Sequence, residues 1–83
     1  MCTGIVETAP VSGSGKGPKG WFKLDQVNVS YDHPVDAKVE YALNIDFVNQ
    51  VEGPASRVAV ELTPDSARRL AEAILTTLTR GTE

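Results

Sequence analysis

Eighty-three residues permit one small domain, which hides only about 60% of the surface its unfolded chain exposes and has little stability in reserve. Hydrophobic residues at 41% and charged residues at 23% match ordinary globular usage, arguing against disorder, collagen-like repeats and coiled coil. Eleven acidic against eight basic side chains give a net charge of −3, which disfavours nucleic acid and anionic membranes as partners.

One cysteine, Cys2, cannot close a disulfide within the chain, and small secreted domains normally carry several, so a cytoplasmic protein is expected. No charged N-terminal stretch leads into an apolar run, and no 18 consecutive apolar residues occur, so neither a signal peptide nor a membrane span is read. The chain is read as a single domain, residues 1–83, with no internal repeat.

A first short strand is expected over residues 3–8. Residues 12–20, SGSGKGPKG, hold four glycines, two serines, a proline and two lysines and read as a flexible loop. From 21 to 32 the sequence WFKLDQVNVSYD alternates as a half-buried strand, with one slip of phase. Val27, Val29 and Tyr31 share one face while Phe22 and Leu24 fall on the other, which predicts a bulge near Asp25 and Gln26.

Residues 37–49 carry the cleanest alternation, with Val39, Tyr41, Leu43, Ile45 and Phe47 inward, and predict a central strand. Apolar positions are odd-numbered on both strands, so the connecting loop holds an odd number of residues. A five-residue loop, 33–37, sets Asp32 opposite Lys38, Tyr31 opposite Val39 and Val29 opposite Tyr41. Gly53 and Pro54 mark a turn before a fourth strand carrying Val58, Val60 and Leu62. A register with Phe47 opposite Val58 then brings Asn44 opposite Glu61.

A helix is predicted over 63–80. Thr63 suits its N-cap, Pro64 its first turn, Asp65 the positive end of its dipole and Gly81 its C-terminal cap. Ala67, Leu70, Ala71, Ile74 and Leu78 recur at helical spacing, with Arg68, Arg69, Glu72 and Thr76 outward. The fold class is therefore α+β: a four-stranded antiparallel β-meander with one C-terminal amphipathic helix packed on the face of Val29, Tyr41, Leu43, Ile45 and Val60.

The opening MCT, the stretch SGSGKGPKGWF, the turn YDHPV, the strand LNIDFVN and the closing GPASRVAVELTPDSARRLAEAI together resemble a family of small bacterial proteins of about this length and of unknown function. The resemblance covers nearly the whole chain and implies no activity, cofactor or catalytic residue. It does imply a complete native protein to which Cys2 belongs.

The chemistry is therefore weighed from the residues. Gly-rich backbone with Lys16 and Lys19, beside Trp21, is a candidate ligand-binding segment, against the plainer reading of a solvated loop. The spacing fits no P-loop or dinucleotide fingerprint, so no nucleotide cofactor motif is present. Cys2 and His33 are candidate metal ligands and, with Asp32, candidate catalytic residues, because an imidazole can lower a neighbouring thiol pKa. The plainer readings are an edge-strand thiol and a turn histidine. If the first strand pairs with the second, Cys2 approaches the end that carries His33; pairing with the fourth keeps them apart.

Glu40, Asp46 and Glu61 on the polar sheet face could couple as a carboxylate pair if that face is covered, and are otherwise solvated. A marginal core, the misphased Phe22 and Leu24 and open strand edges favour a homodimer. Two functions follow from different classes. One is a binding or accessory protein taking a small molecule or a partner; the other is a small enzyme or metal protein using Cys2 and His33.

Overall fold

The computed structural model describes residues 4–53 and 55–82. Strands β1 (Ile5–Gly17), β2 (Gly20–Asp32), β3 (Ala42–Val48) and β4 (Arg57–Leu62) precede one helix, α1 (Pro64–Gly81). The strands form one sheet in the order β1-β2-β3-β4, every neighbouring pair antiparallel, so the meander with a C-terminal helix is the fold. The register of β3 on β4 is the expected one, with Phe47 opposite Val58 and Asn44 opposite Glu61.

Residues 12–20 are not a loop. β1 continues through Gly17, the chain reverses over Pro18 and Lys19, and β2 begins at Gly20, whose φ of +110° suits a residue without Cβ. Glycine and serine break regular structure in many settings, but here their small size is what the position requires. An ideal Cβ on Gly15 would lie 3.2 Å from Leu24 Cδ2 and 3.4 Å from Val58 Cγ2. Gly17 sits close to the Phe22 ring and to the Arg57 carbonyl. The far arm of the β1–β2 hairpin therefore curls until it meets β4, and a chain with larger side chains at 15 and 17 could not approach so closely.

The bend has its bulge where expected but on the other strand. Pro10 pairs with Gln26 and Gly13 with Leu24, so the extra residue lies in β1 opposite Asp25. Beyond this point β2 leaves β3, whose ladder to it runs only from Gln26 to Asp32. Phe22 and Leu24 are accordingly half-buried within the curled arm of their own chain, which explains their slip of phase and removes them as an argument for a dimer.

The third strand is shorter than its alternation suggests, and the five-residue loop is a nine-residue one, 33–41. Asp32 pairs with Ala42, Tyr31 with Leu43 and Val29 with Ile45, four residues from the expected register. A shift of four keeps every side chain on its face, so hydrophobic pattern alone could not distinguish the two. Longer-range contacts decide. The Glu61 carboxylate accepts from the backbone N–H groups of Val35, Asp36 and Ala37, and Tyr41 stacks between Tyr31 and His33.

Thr63 caps α1 as predicted, its Oγ1 accepting from Ser66 N at 3.2 Å, with Pro64 and Asp65 in the first turn. Gly81 is instead the last helical residue, without a left-handed φ, and Thr82 closes the end by donating its N–H and Oγ1 to the Leu78 carbonyl. Only the first half of α1 lies over the sheet, facing Tyr31, Leu43 and Ile45 across an open cleft. Among the described residues Ala42 is the one fully shielded apolar residue, and no large side chain is fully buried.

Candidate functional site

The cleft under α1 follows from the two periodicities. Period two places Tyr31, Leu43 and Ile45 on one sheet face, and helical spacing places Pro64, Ala67, Leu70, Ala71 and Ile74 opposite. Together with Arg68 they wall an open space of about 440 Å³. Arg68 is held at the mouth by Asp65, 3.3 Å away and one turn earlier, and both are largely exposed. The walls are almost wholly aliphatic and aromatic, so the cleft is suited to apolar groups rather than to proton transfer.

At the end of the same sheet face His33, Tyr41 and Tyr31 form a stack, with centroids 4.7 Å and 5.5 Å apart. His33 Nδ1 donates to the Glu40 carbonyl at 2.9 Å, which fixes the tautomer of the neutral ring. Asp32 accepts from the backbone N–H of His33 at 2.7 Å. Both candidate residues are thus engaged in shaping the 33–41 loop. Cys2 lies outside the described residues, and so does its distance from His33. β1 does pair with β2, Ile5 opposite Tyr31. Among the described residues no group of three or more His, Cys, Asp or Glu side chains is placed to hold a metal.

On the opposite sheet face the carboxylates are separately engaged. Asp46 pairs with Arg57, at 2.8 Å and 2.9 Å from two guanidinium nitrogens. Glu61 is gripped by three backbone N–H groups, first that of Val35, then those of Ala37 and Asp36, which hold its carboxyl below the usual range. Glu40 belongs to the loop and not to the strand. The anticipated Glu40, Asp46 and Glu61 group is therefore not one coupled pair. A polar hollow lies between Val35, Asp36, Ala37, Arg57, Ala59 and Glu61.

At the hairpin tip Lys19 and Trp21 line a third hollow with Gly17, Phe22, Glu52 and Ser56. Lys16 pairs with Trp21 across the hairpin and does not line it. Behind this tip stands Asn49, only 7% exposed, whose position at a strand end predicts no more than a turn residue. Its Nδ2 donates to the Lys23 carbonyl at 2.9 Å, and its Oδ1 accepts from Val51 N and Glu52 N. One side chain thus closes the β3–β4 turn and ties it to the bend of β2. Glu61 has no signature of its own, since it acts on backbone remote in sequence; Asn49 shows in sequence only as a turn residue, because its bonds to Val51 and Glu52 are local and its bond to Lys23 is remote.

The fold and cleft define a small α+β protein in which an antiparallel meander and a terminal helix share an open apolar face. The chain belongs to the family described as "Family of unknown function (DUF6295)", whose profile matches residues 1–83. No curated protein and no solved structure matches it. Among the described residues no helix is long and apolar enough to cross a membrane.

Proposed function

We propose that the protein is a small cytoplasmic binding or accessory protein that acts as a homo-oligomer and presents the cleft under α1 to an apolar surface. One observation carries this reading: the most apolar of the large hollows is walled by Tyr31, Leu43, Ile45 and the aliphatic side of α1, with its charged group, Arg68, at the mouth. Sites of this composition hold ligands or partners by burial of apolar area. The single cysteine supports the cytoplasmic placement.

The hollow beside Lys19 and Trp21 is the place proposed for a small ligand, and a small anion is the chemistry its lysine favours. Sedimentation velocity at micromolar concentration tests the oligomer, and a lone monomer would end it. A thermal-shift screen with metabolites and metals tests the ligand. Stabilisation by a transition metal that vanishes in both Cys2→Ser and His33→Ala would replace this reading by a metal protein or enzyme built on those two residues.

A further inference from the structure

Helix α1 carries more apolar surface than its own sheet covers. Leu70, Ile74 and Leu78 form one stripe at intervals of four, with Leu75 beside it, and they are 42%, 51%, 59% and 65% exposed respectively. The stripe runs past the sheet. Its first half faces Tyr31, Leu43 and Ile45, whereas Leu75 and Leu78 meet no wall of the cleft. Of the nine large hydrophobics that stand exposed among the described residues, these four share one helix face, while Ile5, Val6, Trp21, Val35 and Val51 are scattered.

Two measures of the whole chain, to which the extended β1–β2 hairpin contributes as well as α1, show more surface than a compact monomer exposes. The accessible surface is 6311 Å², whereas a folded monomer of this mass exposes about 4,800 Å², a surplus of about 1,500 Å². The radius of gyration is 13.9 Å, against about 11.8 Å for a compact chain of this length. Burial of about two thirds of that surplus on each of two chains would already reach the lower end of the 2,000–5,000 Å² of total area typical of obligate homodimers. A second copy is therefore an occupant of the right size, and it brings the same apolar stripe with it.

Resting on the homo-oligomer proposed above, we infer that two copies pair through antiparallel α1 helices about a two-fold axis beside Ile74, so that the Leu78 of each copy closes the cleft of the other. The register follows from the stripe. With the axis at Ile74, Leu70 stands four residues before it and Leu78 four after, so antiparallel pairing sets Leu70 against the partner's Leu78, beside the cleft. The contact is isologous and closes at two chains. Antiparallel helices also oppose their dipoles favourably. Arg69, Glu72 and Arg80 lie on the side of the helix away from the stripe and remain in water.

The test uses the full chain in a Cys2→Ser background. Ile74→Cys is expected to form a disulfide between copies under mild oxidation, and Glu72→Cys, on the outer side, is not. Leu78→Glu is expected to weaken dimerisation by about 100-fold or more in sedimentation equilibrium, because it places a carboxylate in each closed cleft. Leu78→Ala, which only removes volume, is expected to weaken it by about 10-fold and serves if the glutamate variant loses its circular dichroism. A dimer that keeps its affinity in both Leu78 variants and does not cross-link through Ile74→Cys overturns this interface while leaving a homo-oligomer standing. A parent protein that sediments as a monomer overturns both.

Discussion

Asn49 and Glu61 stabilise loops by the same means, a polar side chain bonded to several backbone groups, and differ in what removes them. Asn49 is buried and uncharged, satisfying the Lys23 carbonyl and two turn N–H groups. Its replacement in Asn49→Ala leaves those groups without partners, and the expected loss is about 1–3 kcal/mol in urea-induced unfolding. An unchanged midpoint would show that water replaces the amide fully. Glu61 responds to pH. Its folded pKa is depressed by the N–H groups of Val35, Ala37 and Asp36, so its contribution is complete above the unfolded glutamate pKa and is lost as pH falls through the lower folded value. Amide exchange at Val35, Asp36 and Ala37 is expected to accelerate on acidification through that range. In Glu61→Gln it is expected to be fast already at neutral pH, and protection that survives both changes would show that other contacts hold the loop.

The strands and the helix could be read from periodicity because each has one apolar face, and the β3–β4 register followed from matching Phe47 with Val58. The β2–β3 register could not, since registers four apart satisfy the same pattern and the choice rests on Glu61, remote from the loop it holds, and on the stacking of Tyr41, at the loop's own end, against Tyr31 and His33. The glycine segment misled for a different reason: small residues serve both loops and close approaches, and only the partner, here Leu24 with Val58, distinguishes them. Of the candidate site residues, His33 is legible as a turn residue and Asp32 as a polar residue at the end of its strand, whereas the cleft needs the position of α1 on the sheet. The close approach makes a prediction about the hairpin as an element. Gly15→Val adds branched carbon where a single Cβ would already stand 3.2 Å from Leu24, so the curled arm must lift and about 1–3 kcal/mol of stability is expected to be lost. A variant as stable as the parent would mean that Leu24 and Val58 give way cheaply.

At the scale of the molecule, a single small shielded apolar residue among the described residues and a helix without buried positions make a protomer of low intrinsic stability. Under the proposed pairing, folding and association are linked by mass action, and the melting temperature rises with protein concentration. A tenfold dilution is expected to lower it by several degrees, since each tenfold step is about 1.4 kcal/mol of dimer formation and 1 kcal/mol moves the melting point of so small a domain by about 4–8 °C. A melting point independent of concentration would contradict the linkage.

Every strand of the sheet pairs with its neighbour in sequence, and the helix comes last. As the chain is synthesised, each strand therefore finds its partner already made, and no segment waits for a distant one. Under the proposed pairing the waiting is confined to α1, whose inner half has a sheet to lie on at once and whose outer half is covered only when another chain is complete. Assembly of that kind would set the working lifetime of a newly made molecule: Arg80 stands among the uncovered turns of α1, and a protease meeting a solitary chain would find there a segment little protected against local opening.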